Sequence, residues 1–350
     1  MDMKNWAKEL KNGTTKKAMP ILSFPSIQLM GIDVLKLISD SDLQAKGMKM
    51  IADRADTLAA VSMMDLSVEA EAFGSTIRFS EVEVPTVTGH LISTMEEAVA
   101  LKVPSVGAGR TGGYIAAVQK AATMIKDRPV LAGTIGPFSL TGRLLDVSEA
   151  MIYCYEDPEM VHVILEKATD FIIRYIEAYK AAGANGVVIA EPLAGLLSPD
   201  LNDEFSVRYV KRIVDTVQDE NFVVVYHNCG NAVPDLIHQI VTIGATAYHL
   251  GNAINMKQVL DRVSKDVVLM GNVSPTEIRN GTPESVREMT SKLLQECGTY
   301  PNFIPSSGCD IPPMSSWDNI DAFFQAVSDY YAGYEISMAP ELQMLQKVIK

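Results

Sequence analysis

The chain has 350 residues, with 43 acidic and 30 lysine or arginine side chains, and a formal net charge of −13 at pH 7. The length excludes a small disulfide-stapled scaffold, and 47% hydrophobic with 21% charged residues excludes global disorder. The acidic balance argues against non-specific nucleic-acid binding, because an acidic surface repels phosphate backbones.

The amino-terminal segment MDMKNWAKELKNGTTKK is polar and lacks the apolar stretch of a secretory signal. No apolar run approaches the roughly 18 residues that a membrane span needs. The sequence therefore predicts a cytoplasmic protein without a membrane segment. In reducing cytoplasm its four cysteines are expected to be thiols or metal ligands rather than disulfides.

Strand-sized apolar runs alternate with helical patterns in the first half of the chain. The predicted elements are a strand at 18–24, a helix at 43–60, a strand at 65–74, a small hairpin at 75–89, a helix at 112–126 and a strand at 129–136. The hairpin is predicted because apolar and polar residues alternate over 75–89.

The same alternation is more regular in the second half. Strands are predicted at 186–192, 222–230, 246–252, 267–275 and 302–309, and helices at 158–182, 203–217, 232–243, 256–263, 283–295 and 317–331. Alternating strands and helices imply a parallel sheet. About eight strands without a GxGxxG after the first favour an α/β fold of the (β/α)8 TIM barrel type, and a doubly wound sheet is the competing alternative. We predict a single domain over 1–350, with an N-terminal elaboration and a hairpin insertion near 75–89.

Active sites of such barrels lie after the carboxyl ends of the strands, and here those ends carry metal-binding residue types. His227 and Cys229 lie two positions apart at one strand end, so both side chains point to the same side of the strand. Cys309 ends the last predicted strand and can reach the same point across the barrel mouth. One imidazole and two thiolates suit a zinc ion whose fourth position stays open for a substrate. The alternative from spacing alone is two buried thiols and a hydrogen-bonded histidine.

From about residue 186 to 330 the chain resembles the uroporphyrinogen decarboxylase superfamily, and within it the zinc-dependent cobalamin methyltransferases of the methylcobamide:coenzyme M type. The matching segments are EPLAGLLSPDLNDEF, HNCGN, GNVSPTEIRNGTPESV and SSGCDIPPMSSWDNIDAF, with looser matches at MMDLSVEAEAFG, GAGR and GTIGPFSLTGRLL. The resemblance implies that His227, Cys229 and Cys309 are the zinc ligands. It also implies a corrinoid partner, and since the chain has no DxHxxG cobalamin-binding segment, we expect a separate corrinoid protein to supply methylcobalamin.

The resemblance argues against uroporphyrinogen as the substrate. The decarboxylases carry an arginine-rich PxWxMRQAGR segment near the amino terminus, whereas this chain reads AMPILSFPSIQLMGI and has no arginine before Arg54. A substrate with eight carboxylates needs cationic partners. An uroporphyrinogen carboxy-lyase is therefore the alternative rather than the leading prediction.

The expected activity is methyl transfer between the corrinoid and a small substrate. Zinc lowers the pKa of a thiol bound at its open position, and the thiolate could then attack the methyl group. The reverse direction, demethylation of a methyl ether or amine donor, stays open. A non-enzymatic alternative is a zinc-bearing barrel that binds a corrinoid or thiol without turnover.

Six further residues are assigned roles at the strand ends, each against a purely structural alternative. Glu191 is a candidate fourth zinc ligand or base, although many relatives carry Asp before this proline. The remaining candidates are His249 and Asn272 for catalysis, and Asn252, Arg110 and Asp310 for substrate binding, with Asp310 also able to support a metal ligand. Cys154 and Cys297 lie in helical patterns and are predicted to be packing residues.

Overall fold

Parallel strands alternate with helices along the chain, as the sequence predicts. The computed structural model describes residues 1–13 and 16–348. Within these ranges the strands are β1 (Ala60–Val61), β2 (Thr76–Arg78), β3 (Thr86–Thr88), β4 (Val130–Ile135), β5 (Gly186–Ala190), β6 (Val223–Asn228), β7 (Ala247–Leu250), β8 (Leu269–Val273) and β9 (Phe303–Ser307). One parallel sheet has the order β1-β4-β5-β6-β7-β8-β9, whereas β2 and β3 pair antiparallel and confirm the hairpin. The parallel order follows the chain without the reversal of a doubly wound sheet, which supports the barrel prediction.

Helices connect the strands and cover the outside of the sheet. They are α1 (Met3–Asn12), α2 (Ser26–Met30), α3 (Val34–Ser39), α4 (Ser41–Arg54), α5 (Val68–Phe73), α6 (Met95–Ala100), α7 (Thr111–Met124), α8 (Pro137–Leu145), α9 (Val147–Glu156), α10 (Pro158–Ala181), α11 (Pro199–Asn202), α12 (Arg208–Val217), α13 (Val233–Ile240), α14 (Met256–Leu260), α15 (Pro275–Asn280), α16 (Pro283–Cys297) and α17 (Trp317–Val348). Short 3-10 helices span Pro192–Leu196 and Val241–Ile243, and a π-helix spans Asp203–Val207. Proline stands in the first turn of α8, α10, α13, α15 and α16, where its missing N–H costs no helical hydrogen bond.

The two faces of the sheet pack against different partners. Alternate strand residues fill the barrel interior, among them Leu131, Val188, Val225, Met270 and Ile304. Their neighbours along each strand pack outward against the helices. This alternation decides which side chains at the strand ends can reach the centre of the barrel.

Helix α1 belongs to the interior cluster rather than to the outer layer. Its Met3, Trp6 and Leu10 lie on one helical face, are at most 7% exposed and pack with the inward strand residues. The Trp6 indole donates to the carbonyl of Leu58, just before β1. Helix α1 therefore covers the amino end of the barrel, opposite the strand ends that carry the predicted chemistry.

The predicted strand at 18–24 is wrong in its details, because this segment has no regular strand pairing. It lies between β1 and β9: the Leu58 amide donates to Ala18, and the Met19 amide donates to Pro305. Pro20 and Pro305 have no N–H to donate, so a continuous ladder cannot form. We call residues 18–23 the closing segment, since it occupies the gap where an eighth strand would stand.

The predicted strand at 65–74 is also wrong. Val68–Phe73 is helix α5, and the strand in this part of the chain is the short β1. The segment VEAEAF is rich in helix-forming residues, and Gly74 ends the helix with a φ of 110°. The helix predicted at 43–60 accordingly ends at Arg54.

Replacing Glu69 with glutamine is expected to remove a pH dependence of stability. Glu69 is 1% exposed; one carboxylate oxygen accepts from Thr134 and Ile135, and the other has no partner in the described part of the chain. Burial raises the pKa of Glu69 from 4.5 to about 7, so the folded protein binds this proton more tightly than the unfolded chain. The free energy of unfolding should then fall between pH 4.5 and 7, by up to about 3 kcal/mol.

Urea denaturation of the wild type and Glu69→Gln at several pH values measures this difference. The variant should gain stability over the wild type as the pH rises from 4.5 to 7, and the exposed Glu177→Gln should not. A gap between wild type and Glu69→Gln that is the same at pH 4.5 and pH 8 contradicts the assignment.

Within the described ranges, every helix is too short or too polar to cross a membrane. The single domain over 1–350 stays a prediction, and it includes residues 14, 15, 349 and 350, which lie outside the described ranges.

Candidate metal centre

His227, Cys229 and Cys309 meet at the carboxyl end of the barrel. Val223 and Val225 of β6 point inward, so the same alternation turns His227 inward and continues to Cys229 just beyond the strand. Cys309 lies in the loop after β9. One donor atom from each of the three residues lies within 4.8 Å of the others, with His227 buried and both cysteines partly buried.

The spacing of the donor atoms suits a tetrahedral zinc ion. Cys309 Sγ is 3.5 Å from His227 Nε2. In a tetrahedral site with Zn–S of about 2.3 Å and Zn–N of about 2.1 Å, a sulfur and a nitrogen ligand are roughly 3.6 Å apart. One nitrogen and two sulfur donors are also the ligand types that zinc accepts. The residues present therefore fit this metal and leave a fourth position for another ligand.

The two cysteines change each other's acidity. The neighbouring Cys309 lowers the pKa of Cys229 to about 7, and Cys229 together with burial raises the pKa of Cys309 to about 12. The Cys309 thiol thus keeps its proton near neutral pH. A metal that binds both sulfurs has to displace that proton, because the thiolate is the ligand form.

Two glycines allow the strand ends to come this close. A Cβ on Gly251 would lie 2.5 Å from Cα of Cys229, and a Cβ on Gly308 would lie 2.7 Å from the amide nitrogen of Asn252. Any side chain at either position would push the cysteine loops apart. Both glycines directly precede predicted site residues in the sequence, Asn252 and Cys309.

His249 lies behind His227, inside the barrel. It is 1% exposed, and its Nδ1 is 2.8 Å from Nδ1 of His227. Its Nε2 is 2.7 Å from Oγ of Ser306. Burial lowers the pKa of His249 well below its ordinary value, and the neighbouring His227 lowers it further. His249 therefore contacts the candidate metal ligand His227 from the side away from Cys309.

Glu191 does not belong to the cluster of three metal-binding side chains. Ala190 points inward, so Glu191 points outward, where it is completely buried. Its two carboxylate oxygens accept from the amides of Phe138 at 3.0 Å and Ser139 at 2.5 Å, at the start of α8. Burial raises the pKa of Glu191 to about 7. The carboxylate joins α8 to the end of β5, and a role as fourth ligand or base requires these bonds to break.

Asn272 and Asn252 both stand near the loop that follows β7. The Asn272 amide donates to the carbonyls of Gly251 at 2.9 Å and Ile254 at 3.1 Å, and so fixes that loop. Asn252 is exposed and lies against Gly308, next to Cys309. Of the two, Asn252 has the side chain that is free to face an incoming molecule.

Arg110 is held by acidic side chains that precede it in the chain. It pairs with Asp65, donates to Glu71 at 2.6 Å and donates to Ser67 at 2.8 Å. The Asp65 side chain is completely buried, and Tyr114 donates to it as well. These contacts occupy the guanidinium, so Arg110 is engaged within the protein rather than open to an anionic substrate group.

Asp310 follows Cys309 and has an unused acceptor. Its Oδ1 is buried and has no hydrogen-bond partner in the described part of the chain. Burial raises the pKa of Asp310 well above its ordinary value, and Cys309 and Asp65 nearby raise it further. Asp310 is thus a carboxyl group beside the candidate metal ligands, with one oxygen that can still bond to a substrate.

The remaining cysteines match their predicted packing role. Cys154 and Cys297 are 5% and 0% exposed, and burial raises the pKa of each thiol to about 12. Sequence reasoning missed Ser306, whose inward position follows from Ile304 two residues earlier in β9. It also missed Asp65, because a strand was predicted where α5 begins.

Alkylation should divide the cysteines into two pairs. In metal-free protein, Cys229 should react first with N-ethylmaleimide at pH 7, because its pKa of about 7 makes it the most ionised of the four thiols. Zinc should protect both Cys229 and Cys309, whereas Cys154 and Cys297 should react only after unfolding. Peptide mass spectrometry measures the extent of alkylation at each cysteine. Fast labelling of Cys309 at saturating zinc would contradict its assignment as a zinc ligand.

Comparison with known proteins identifies the family. The uroporphyrinogen decarboxylase (URO-D) family model matches residues 15–330. A methylcobamide:CoM methyltransferase of Methanosarcina acetivorans is 28% identical over 301 residues, covering 83% of this chain and 86% of that protein. A uroporphyrinogen decarboxylase of Pseudoalteromonas translucida is 26% identical over 319 residues, covering 86% and 87%.

Solved structures agree on the fold. A methyltransferase from Methanosarcina mazei has a TM-score of 0.82 to this chain at 23% identity, covering 95% of this chain and 99% of that one. A B12-independent methionine synthase from a Shewanella species has a TM-score of 0.60 at 11% identity, covering 93% and 98%. Because the family model spans residues 15–330 of the 350, the chain belongs to the uroporphyrinogen decarboxylase (URO-D) family.

Proposed function

We propose that this protein is a zinc-dependent methyltransferase that moves a methyl group between a corrinoid and a small substrate, with a thiol as the favoured acceptor. The observation that carries the proposal is the convergence of His227, Cys229 and Cys309 within 4.8 Å at the carboxyl end of the barrel. The 28% identity to a methylcobamide:CoM methyltransferase over 83% of the chain supports the same activity.

His227, Cys229 and Cys309 would hold the zinc and leave one position for the substrate. Zinc bound there would favour the thiolate form of a substrate thiol, which is the nucleophile that methyl transfer needs. Asp310 contributes an oxygen that has no hydrogen-bond partner among the described residues and lies beside Cys309, suited to orient the substrate. Asn252, exposed next to the same loop, is the second candidate for substrate contact.

The corrinoid would come from a separate protein that docks at the barrel mouth. The family model and the parallel barrel account for residues 15–330, and the chain has no DxHxxG segment. Methylcobalamin is the expected methyl carrier in either direction, so a methyl ether or amine donor could replace the thiol if the transfer runs toward the corrinoid.

The competing activity is decarboxylation of a porphyrinogen, since relatives named uroporphyrinogen decarboxylase match at 26% identity. The sequence suggests Arg110 as the candidate for binding an anionic substrate group, and Asp65 and Glu71 already neutralise it. The chain also has no arginine before Arg54. Binding eight carboxylates needs several free cations, and Arg110 is already paired, which is why we rank this activity second.

Purified protein should be loaded with zinc, freed of excess metal and incubated with methylcobalamin and a panel of thiols that includes 2-mercaptoethanesulfonate. We expect loss of the methylcobalamin absorption spectrum and a methylated thiol in equal amounts. The same preparation stripped of metal should be inactive and should recover when zinc is restored.

Uroporphyrinogen serves as the competing substrate in a parallel assay. If uroporphyrinogen is decarboxylated and no methyl group is transferred from free or protein-bound methylcobalamin, the protein is a carboxy-lyase and this proposal is wrong. Zinc and thiol binding with neither reaction would favour the non-enzymatic alternative.

A further inference from the structure

A continuous chain of hydrogen bonds leads from the proposed metal ligand His227 into the barrel interior. His227 Nδ1 is 2.8 Å from His249 Nδ1, His249 Nε2 is 2.7 Å from Ser306 Oγ, and Ser306 donates to the Met19 carbonyl at 2.7 Å. We infer that Ser306 and His249 are positioning residues that fix the proton of His227 on Nδ1 and so present the lone pair of Nε2 to the metal. This inference rests on the zinc site of the proposed function.

The direction of each bond follows from the last acceptor. A backbone carbonyl can only accept, so the bond to Met19 uses the hydroxyl proton of Ser306. Ser306 Oγ then has only lone pairs left for His249, and the bond between them uses the Nε2 proton of His249.

The same reasoning fixes the next link. A neutral His249 that carries its proton on Nε2 has a lone pair on Nδ1, which accepts from the Nδ1 proton of His227. The carbonyl of His249, 3.2 Å from the same nitrogen of His227, is a second acceptor for that proton. Nε2 of His227 is therefore left without a proton, 3.5 Å from Cys309 Sγ.

The opposite arrangement is disfavoured by two buried carbonyls. If His249 donated from Nδ1, its Nε2 would need the Ser306 proton, and the Met19 carbonyl would lose that donor. The carbonyl of His249 would likewise face a nitrogen without a proton. All three side chains are at most 2% exposed, so water does not replace the missing donors.

The acceptor at the end of the chain belongs to the closing segment. Met19 and Ile21 both contact β9 through backbone amides: Met19 donates to Pro305, and Ile21 donates to the Ser307 hydroxyl at 3.2 Å. The segment that replaces an eighth strand therefore also orients the metal-binding imidazole. Zinc affinity should depend on a serine that does not touch the metal.

Ser306→Ala and Ser307→Ala form a matched pair for the test. Both serines are completely buried, adjacent in β9 and bonded to the closing segment, but of the two hydroxyl groups it is that of Ser306 that hydrogen-bonds to His249. Chelator competition should show zinc bound about 10- to 100-fold more weakly by Ser306→Ala, the usual effect of losing a partner behind a metal-ligating histidine. Ser307→Ala should bind zinc as the wild type does.

His249 gives a second pair. In His249→Asn the amide oxygen can take the place of Nδ1 and accept from His227, so zinc affinity should be largely retained. In His249→Leu that acceptor is lost and affinity should fall as in Ser306→Ala. Equal losses in the two variants would mean that His249 only fills space, which overturns the inference. Circular dichroism melting of each variant separates weaker zinc binding from unfolding.

The tautomers can be measured without metal or turnover. Long-range proton–nitrogen correlations in metal-free protein with labelled histidine need to distinguish only five residues. We expect His249 protonated on Nε2 and His227 on Nδ1; His227 protonated on Nε2 would overturn the inference. This measurement needs no zinc. A failure to bind zinc or to transfer methyl groups would therefore contradict the proposed function, whereas the tautomers would still test the hydrogen-bond chain.

Discussion

Replacing Cys309 with alanine is expected to abolish stable zinc binding and, with it, methyl transfer. The variant removes one of the three ligands and leaves His227 and Cys229 at the site. Structural zinc sites with four ligands bind with about 10–16 kcal/mol, roughly 3 kcal/mol or more per ligand, so affinity should fall on the order of 10²-fold or more. Metal content after dialysis against a chelator measures the first effect, and the methylcobalamin assay measures the second.

Cys154→Ala is the matched control for this experiment. It removes a thiol that packs against the side chain of Phe138 outside the barrel interior, so it should retain both zinc and activity. A Cys309→Ala protein that keeps one zinc per chain would exclude this ligand set. A variant that loses zinc but retains full methyl transfer would separate the metal from the proposed reaction.

Two of the three proposed metal ligands could be predicted because they follow from a two-residue alternation in an apolar strand. Val223 and Val225 are inward neighbours of His227, and the same period reaches Cys229. The period also explains the different position of Glu191, because its neighbour Ala190 faces inward. The prediction that Glu191 is a fourth ligand or a base used only its position at the end of the strand. It did not use the direction in which the side chain points.

Ser306 could have been predicted by the same rule but was not. It lies two residues after the inward Ile304, and its hydroxyl is buried against His249. A single serine within an apolar strand does not by itself indicate a functional residue. Its role depends on a histidine 57 positions away in the chain, which only the folded barrel brings close.

The amino-terminal half was predicted less well because local propensity and tertiary pairing disagree there. β1 has only two residues, too few for a periodic pattern, and the closing segment contains Pro20. Helix α8, which follows β4, was not predicted, and α9 was indicated only by the helical pattern around Cys154. The start of α8 depends on Glu191, a partner more than 50 positions away.

Replacing Arg110 with methionine is expected to destabilise the protein by about 3–5 kcal/mol, the usual cost of removing one partner from a buried ion pair. Asp65 is completely buried and would keep Tyr114 as a donor but lose its cation. Glu71, about a quarter exposed, would lose less because water can solvate it. Urea denaturation at pH 7 measures the change.

A double variant distinguishes this structural role from the substrate-binding role that the sequence suggests for Arg110. If the ion pair is what matters, Arg110→Met with Asp65→Asn should recover much of the lost stability, because the uncompensated buried charge is gone. If Arg110 instead binds an anionic substrate, Arg110→Met should raise KM with little change in unfolding, and Asp65→Asn should not restore it. The present contacts of Arg110 with Asp65, Glu71 and Ser67 favour the first result, since a substrate anion would have to displace at least one of these partners.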